Sequence, residues 1–386
     1  MTRPLRIVGS EHPEVVLEAV RDVLSGTGPA VMPREVAGGD RAADGAEPPA
    51  RAPQNVALVI ETSGSTGVPK RVALSADALL ASAAASAGAL GGQGQWLLAL
   101  PAHYVAGVQV LVRSVAAGTD PVILPQGHFD PRAFADAAGS MTGDARFVSL
   151  VPVQVARLLD AAERDRRVAG ILRAFDGILV GGQALAPALR ERAEVHGIAL
   201  TATYGSSETA GGCVYDGIPI GNTIVRAEQG MLEIAGSTLA EGYLGDVERT
   251  DAAFHVDAGH RWYRTGDLGL VEHGRVVVSG RADSVIISGG EKVLLDAVER
   301  VVRSQPGFER AVVVAQRSSE WGQVPVVVVD SSPSLELPAL RRVVASALGK
   351  AAAPARIVQI ELLPMLASGK PDRVAIAGHV AVHPPS

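Results

Sequence analysis

The 386-residue chain carries 35 lysines and arginines against 41 aspartates and glutamates, a formal charge of −6, so it has no broad basic field with which to hold nucleic acid. Its single cysteine, Cys213, excludes an intramolecular disulfide framework and any Cys-x-x-Cys metal or redox pair, which fits a reducing, cytoplasmic setting. The start lacks the apolar stretch of a signal peptide, Ala76 to Leu90 is too short to cross a bilayer, and Val105 to Ala117 is interrupted by Arg113, so no membrane anchor is expected.

In chain order, Ile7 and Val8 read as a short strand, and Pro13 to Leu24 as a helix with Val16, Val20 and Leu24 near helical spacing. Glu35 to Gln54 has glycine- and proline-rich clusters and almost no large apolar residue, the mark of a mobile linker. From Val56 to about Ala210 strands and helices alternate. Val56 to Glu61, a helix from Ser75, Trp96 to Leu100, a helix after Gly107, Pro121 to Leu124, a helix from Pro131 and Phe147 to Val151 lead the series. Such alternation predicts an α/β fold, with sheets flanked by helices and the chemistry on loops at strand ends. After Cys213, pieces such as Gly230 to Ala235 and Arg275 to Ser279 predict a small β subdomain. Beyond Gly280 the helical face Leu294, Val298, Val301, Val302, the strands Ala311 to Ala315 and Val324 to Val329, and a helix through Leu337, Leu340, Val344 and Leu348 predict a separate α+β domain. The expected division is 1–281 and 282–386.

The run Thr62, Ser63, Gly64, Ser65, Thr66, Gly67, Val68, Pro69, Lys70 directly follows an apolar strand. Hydroxyls, glycines and a lysine in so short a loop offer unhindered backbone N–H groups, O–H donors and a positive charge to a polyphosphate. It is not a Walker loop, because Gly67 and Lys70 are separated and Arg71 follows the lysine. Alone, the run is equally a flexible Ser/Gly turn.

Further segments carry the same chemistry. His103, after a strand, can lie near a reacting carboxylate. Gly181, Gly182 and Gln183 end the apolar run Ile178 to Val180 and leave bare backbone on which a flat base can rest. In Tyr204, Gly205, Ser206, Ser207, Glu208, Thr209 the aromatic can stack, the small residues leave room, and Glu208 can hold a Mg2+ that bridges phosphates. Asp267, closing Tyr263 to Asp267, is an acceptor for two ribose hydroxyls. Gly280 to Asp283 lead into Ser288, Gly289, Gly290 and Glu291, and Lys370 ends a Ser-Gly turn near the C-terminus. Each segment has a plain structural explanation; their shared order along one chain does not.

That ordered set resembles the adenylate-forming superfamily of acyl-CoA synthetases, luciferases and peptide-synthetase adenylation domains. Thr62 to Lys70 is similar to its phosphate loop, Tyr204 to Thr209 to its Tyr-Gly-x-x-Glu motif, and Tyr263 to Asp267 to its ribose motif. Gly280 to Asp283 is similar to its hinge, and Pro364 to Arg373 to its catalytic-lysine loop. Members carry a much longer segment ahead of the phosphate loop than the 61 residues here, which implies a shortened first subdomain. Within the superfamily, the stretches Leu-Pro-Ala-His-Tyr-Val-Ala-Gly and Leu-Val-Gly-Gly-Gln-Ala-Leu are most similar to bacterial o-succinylbenzoate:CoA ligases of menaquinone biosynthesis.

The resemblance implies a carboxylic acid substrate, ATP with Mg2+, coenzyme A as co-substrate, and a homodimer by family habit. Thr62, Ser63, Gly64, Ser65, Thr66, Gly67 and Lys70 would hold the phosphates. Gly181, Gly182, Gln183, Tyr204, Gly205, Ser206, Ser207 and Thr209 would receive the nucleotide, Glu208 the metal, and Asp267 and Arg281 the ribose. Lys370 would assist adenylation and His103 gate the acyl pocket. Asp283 would be the hinge of a mobile C-terminal domain that next presents Ser288, Gly289, Gly290 and Glu291 for the CoA step. Another aryl- or fatty-acyl-CoA ligase, or an adenylation enzyme that loads a carrier protein, is the alternative. No lysine or arginine identifies itself as the partner of a second substrate carboxylate.

Overall fold

In the computed structural model, which describes residues 1–35, 47–62, 69–125, 127–332, 335–366 and 370–382, the chain divides into two compact units. One comprises Met1–Val225, Glu233–Arg264 and His273–Val276, the other Arg226–Leu232, Thr265–Glu272 and Val277–Ser386.

The first unit opens with β1 (Thr2–Gly9), α1 (Pro13–Leu24), β2 (Ala30–Arg34), β3 (Arg51–Pro53), β4 (Val56–Thr62) and β5 (Lys70–Ser75). Next come α2 (Ala76–Leu90), β6 (Gln95–Leu98), α3 (Val105–Ala117), β7 (Val122–Ile123), α4 (Pro131–Gly139), β8 (Arg146–Leu150), α5 (Pro152–Ala162), α6 (Arg166–Arg173), β9 (Gly177–Val180), α7 (Pro187–Val195) and β10 (Leu200–Ser206). The hairpin β11 (Gly211–Tyr215) and β12 (Ile218–Pro219) follows, then β13 (Ile224–Glu228), β14 (Met231–Ala235), β15 (Gly242–Tyr243), α8 (Val247–Ala253), β16 (Phe254–Asp257), β17 (His260–Glu272) and β18 (Arg275–Arg281), of which β13, β14, β17 and β18 are divided between the two units.

Among the described residues one sheet runs in the order β15-β5-β4-β2-β1-β3 and a second in the order β12-β11-β10-β9-β8-β6-β7. The all-apolar stretch of β4, Val56 to Ile60, is fully buried, as an interior strand covered on both faces must be. In the second sheet β6, β8, β9 and β10 run parallel, and their apolar residues pack with Phe134, Leu158, Leu159, Leu172 and Ala193 of the crossover helices in one core. Parallel strands joined by helices place their C-terminal ends, and the loops after them, along one edge.

Three local readings change. Arg51–Pro53 of the stretch read as linker is β3, antiparallel to β1, because Ala52 buries its methyl in the first sheet's core; residues 36–46 lie outside the described residues. The residues leading into α2 form β5, paired with β4 as a hairpin. Helix α3 starts at Val105 and contains Gly107, where a side chain would collide with the Pro101 carbonyl.

The second unit contains β19 (Val285–Ser288), β20 (Glu291–Leu294), α9 (Leu295–Arg303), β21 (Val312–Ser318), β22 (Gly322–Val329), α10 (Leu337–Leu348), β23 (Arg356–Gln359) and α11 (Arg373–Val382). Its strands form a sheet in the order β20-β19-β22-β21, with β23 on β22. The two-residue strand period sorts its core cleanly. Val313, Val327 and Val329 face α9 and α10, while Val312, Val314, Val326 and Val328 face Ile376 and Val380 of α11. The architecture is thus a large α/β region with a β-rich portion, and a smaller α+β region at the C-terminal end.

Candidate functional site

In the first unit, Thr62 and Lys70 are register partners across the β4/β5 ladder, so the two ends of the Ser/Gly run are held side by side; Ser63, Gly64, Ser65, Thr66 and Gly67 lie outside the described residues. Arg71, beside Lys70, is engaged by Glu61 at 3.2 Å, and Glu61 also meets Arg34 at 3.6 Å. Among the described residues Lys70 takes no such partner: its ammonium lies 5.6 Å from the ring centroid of Tyr243, a cation–π arrangement. The Tyr243 hydroxyl donates to Glu208 Oε1 at 2.8 Å. Burial first, and the Glu208 charge second, push the phenol well above its ordinary range, so it remains a donor.

Glu208 is 6% exposed and lies in the single 3-10 turn Ser207–Thr209 after β10. That turn is pinned on several sides. The Ser206 N–H donates to Thr209 Oγ1 at 2.9 Å, the Thr209 hydroxyl donates to the Gly211 carbonyl at 2.8 Å, and the Ala240 N–H donates to the Glu208 carbonyl at 2.8 Å. The Ala210 carbonyl accepts from Ser82 Oγ at 2.9 Å and from Gln109 Nε2 at 2.7 Å, which holds Ala210 at φ 50°. Gly205 has no room for a side chain because the Gly211 carbonyl occupies that space. The Ser206 hydroxyl is buried without a partner among the described residues.

Glu208 is a buried carboxylate with one hydroxyl donor and no ion-pair partner among the described residues. A buried anion needs a cation, and an oxygen donor with an uncommitted second atom suits a hard divalent ion such as Mg2+. The residues present therefore fit the metal that the sequence implies.

Gly181 and Gly182 end β9. The Gly181 N–H donates to the Leu150 carbonyl at 3.1 Å, its Cα faces Thr203 too closely for a side chain, and Gly182 has φ 82°; Gln183 follows in the same turn, and Tyr204 lies on neighbouring β10. His103 Nδ1 is 2.9 Å from Ser10 Oγ just after β1, and its ring meets that of Tyr104 at a 53° tilt with centroids 4.1 Å apart. Burial lowers the imidazole below its ordinary range, with Glu35 opposing, so it is neutral near pH 7.

Arg113 of α3, one helical turn beyond Gln109, is 6% exposed. Its guanidinium lies 4.7 Å from the Trp96 ring centroid and makes a long 3.5 Å contact with Ser149 Oγ, while Nε has no partner and no carboxylate pairs with it among the described residues. A desolvated cation with no protein anion is expensive. Sequence reading passes over Arg113 and Tyr243. The available signal for Arg113 is a lone charge inside the apolar helical run Val105 to Ala117.

The second unit gathers Asp267, Arg281, Asp283 and Lys370. Arg281 is the centre: Nη1 meets Asp267 Oδ1 at 3.1 Å and the Thr265 carbonyl at 3.1 Å, Nε meets Asp283 Oδ1 at 3.4 Å, and its N–H donates to Asp296 Oδ2 at 2.8 Å. The Thr265 hydroxyl receives the Asp267 N–H at 2.9 Å and fixes the turn through Gly266, φ 72°. Lys370 is set by a small ladder, with Met365 bridging Pro371 and the Leu366 N–H donating to the Lys370 carbonyl at 2.8 Å. Its ammonium is held below the ordinary lysine range, by lost solvation first and by the Arg281 charge second, with Asp267 opposing. Downstream, Arg373 donates to the Val313 carbonyl at 2.9 Å and to the buried Glu299 at 2.8 Å. Ser288 and Glu291 close the β19/β20 hairpin, with Gly289 (φ 56°) and Gly290 (φ 85°) at its tip. Ser288 is buried, and the Gly289 N–H donates to the Trp321 carbonyl at 2.9 Å.

Two family models match this chain: the AMP-binding enzyme family over residues 10–236 and the AMP-binding enzyme C-terminal domain over 297–370. The chain belongs to the AMP-binding enzyme family. It is 36% identical to the probable 2-succinylbenzoate–CoA ligase of Mycobacterium tuberculosis over 98% of both chains. It is 31% identical to the 2-succinylbenzoate–CoA ligase of Listeria monocytogenes, over 82% of this chain and 68% of that one. The o-succinylbenzoate CoA synthetase of Bacillus subtilis, solved with the acyl-adenylate OSB-AMP, superposes with a TM-score of 0.73 at 26% identity, over 85% of this chain and 70% of that one. The same synthetase solved with ATP and magnesium matches at 26% identity and the same score, over 86% and 72%. As a member of the AMP-binding enzymes this protein is an AMP-forming acid–thiol ligase. Among the described residues no helix is long and apolar enough to cross a membrane.

Proposed function

We propose that this chain activates o-succinylbenzoate as its adenylate and transfers the acyl group to coenzyme A. The relatives' names support the substrate, and Arg113 carries the choice, because a buried guanidinium without a protein carboxylate suits the second carboxylate of a diacid, which a simple aryl or fatty acid lacks.

In the first half-reaction a substrate carboxylate oxygen bonds to the α-phosphorus of ATP as the bond to pyrophosphate breaks; in the second, the CoA sulfur bonds to the acyl carbon as AMP leaves. Both steps gather negative charge, so positioning and charge compensation dominate. Lys70, with Thr62 and the run 63–67, holds the β- and γ-phosphates. Glu208 would hold Mg2+, which when bound would supply positive charge to the phosphates. Gly181, Gly182, Gln183 and Tyr204 to Ser207 with Thr209 cradle adenine and its neighbours, and Asp267 with Arg281 takes the ribose hydroxyls. His103, neutral and oriented by Ser10, stands at the acyl pocket without adding positive charge. Lys370 neutralises the attacking carboxylate and the α-phosphate. Division into 1–281 and 282–386 about Asp283 would let Ser288 to Glu291 replace Lys370 for the thioester step.

Mass-spectrometric detection of CoA thioesters from a panel of acids tests the assignment. o-Succinylbenzoate is expected to be the preferred acid, and Arg113→Met to raise its KM by about tenfold or more while leaving KM for ATP unchanged. Equal use of benzoate and o-succinylbenzoate by the unmodified enzyme would overturn it.

A further inference from the structure

Lys70 and Glu208 address the same side chain from different directions, the ammonium over the Tyr243 ring at 5.6 Å and the carboxylate accepting its hydroxyl at 2.8 Å. Tyr243 thus stands in contact with a lysine and with a buried glutamate, and a carboxylate paired with a lysine has less charge to offer a divalent ion. Tyr243 is itself firmly placed. It pairs with Val72 of β5, its N–H donates to Thr250 Oγ1 at 2.9 Å, and its ring packs against Phe254 at 6.1 Å between centroids. Its side chain therefore has little freedom to move away from either charge.

We propose that Tyr243 is a positioning residue for metal–nucleotide binding: its hydroxyl fixes one oxygen of Glu208 and leaves the second for the cation, and its ring keeps Lys70 from neutralising that carboxylate. This rests on the reading of Glu208 as the metal-holding residue. Tyr243 touches neither metal nor nucleotide, and acts through Glu208 and Lys70.

The test is an electron-paramagnetic-resonance titration of the full chain with Mn2+ and ATP, without acid or coenzyme A, so that binding is read apart from turnover. Glu208→Gln is expected to weaken Mn·ATP binding by about tenfold or more and Tyr243→Phe by about tenfold, the scale of one hydrogen bond to a charged group. The double variant should bind no more weakly than Glu208→Gln alone, since both changes act on one carboxylate. Tyr243→His, which keeps a ring with an N–H donor at that position, should lose less than Tyr243→Phe and serves if Tyr243→Phe does not fold; a loss as large as that of Tyr243→Phe would count against the hydroxyl's role. Wild-type binding by Tyr243→Phe alongside weakened Glu208→Gln would overturn the role of Tyr243 alone, and additive losses would do the same. Wild-type binding by Glu208→Gln would overturn the reading of Glu208 itself.

Discussion

The two units hold their candidate residues together by opposite means. In the first, Glu208 and Tyr243 are each 6% exposed, and the turn that carries Glu208 is tied by backbone and side-chain hydrogen bonds to four other segments. In the second, the centre is an arginine whose side chain is 48% exposed, shared between Asp267 and the still more exposed Asp283. The Arg281–Asp283 pair, exposed on both sides, contributes only about 0–1 kcal/mol and is screened by salt, so it can change partners more readily than the pair with Asp267, which is 17% exposed. A buried, hydrogen-bonded carboxylate cannot. One unit holds its charge in a fixed, buried setting, the other in a more exposed one.

The largest expected effect sharpens this contrast. Lys370→Ala should lower adenylation, read as acid-dependent pyrophosphate exchange, by about 10²-fold or more, on the scale of losing an oxyanion donor. Thioester formation from supplied acyl-adenylate should persist. Equal loss in both half-reactions would mean that Lys370 belongs to a fixed site like that of Glu208, and the distinction between the units would fall. Next comes the second unit's own rigid point. Glu299 is 6% exposed and binds Arg303, Arg373 and the Val313 N–H, so Glu299→Gln should destabilise that unit by about 2 kcal/mol in denaturant titration. A loss within error of zero would show Arg373, and the Lys370 loop before it, to be as loosely held as Arg281.

The smallest effect concerns His103. Because its folded-state pKa is lowered by burial, the unfolded chain binds the proton more readily, and the associated stability is present above the unfolded value of 6.5 and lost as pH falls through the lower folded value. The difference in unfolding free energy between pH 7.5 and pH 5 should be smaller in His103→Asn than in the unmodified chain. An unchanged difference would place the imidazole in a more solvated setting than its contact with Ser10 indicates.

Much of the fold is legible in the sequence because its signals are local. The alternation of apolar strands and helices from Val56 to Ala210, and the two-residue period of Val312 to Val314 and Val326 to Val329, each follow from neighbours a few residues apart. The strand β3 escapes for the opposite reason: Arg51–Pro53 looks like linker until β1 supplies its partner. The candidate site divides the same way. Glycines and hydroxyls in short runs announce the loops, and Glu208 is conspicuous among them. Tyr243 is not, since its meaning depends on β15 pairing with β5, and Ser10 gains its role only when β1 ends beside His103. Arg113 is the intermediate case, visible as an interruption in an apolar helix, but notable only once its burial without an ion-pair partner among the described residues is known.

The tip of the β19/β20 hairpin has a consequence of handedness. At Gly290 nothing lies within 4 Å of the place where a methyl group would project, yet φ is 85°, so an L-residue is disfavoured there by chirality alone, by roughly 1 kcal/mol. At Gly289 the same penalty is joined by the Trp321 ring, 2.6 Å from the projected carbon. Adjacent glycines thus exclude side chains on different grounds, the first by stereochemistry and crowding together, the second by stereochemistry with open space around it.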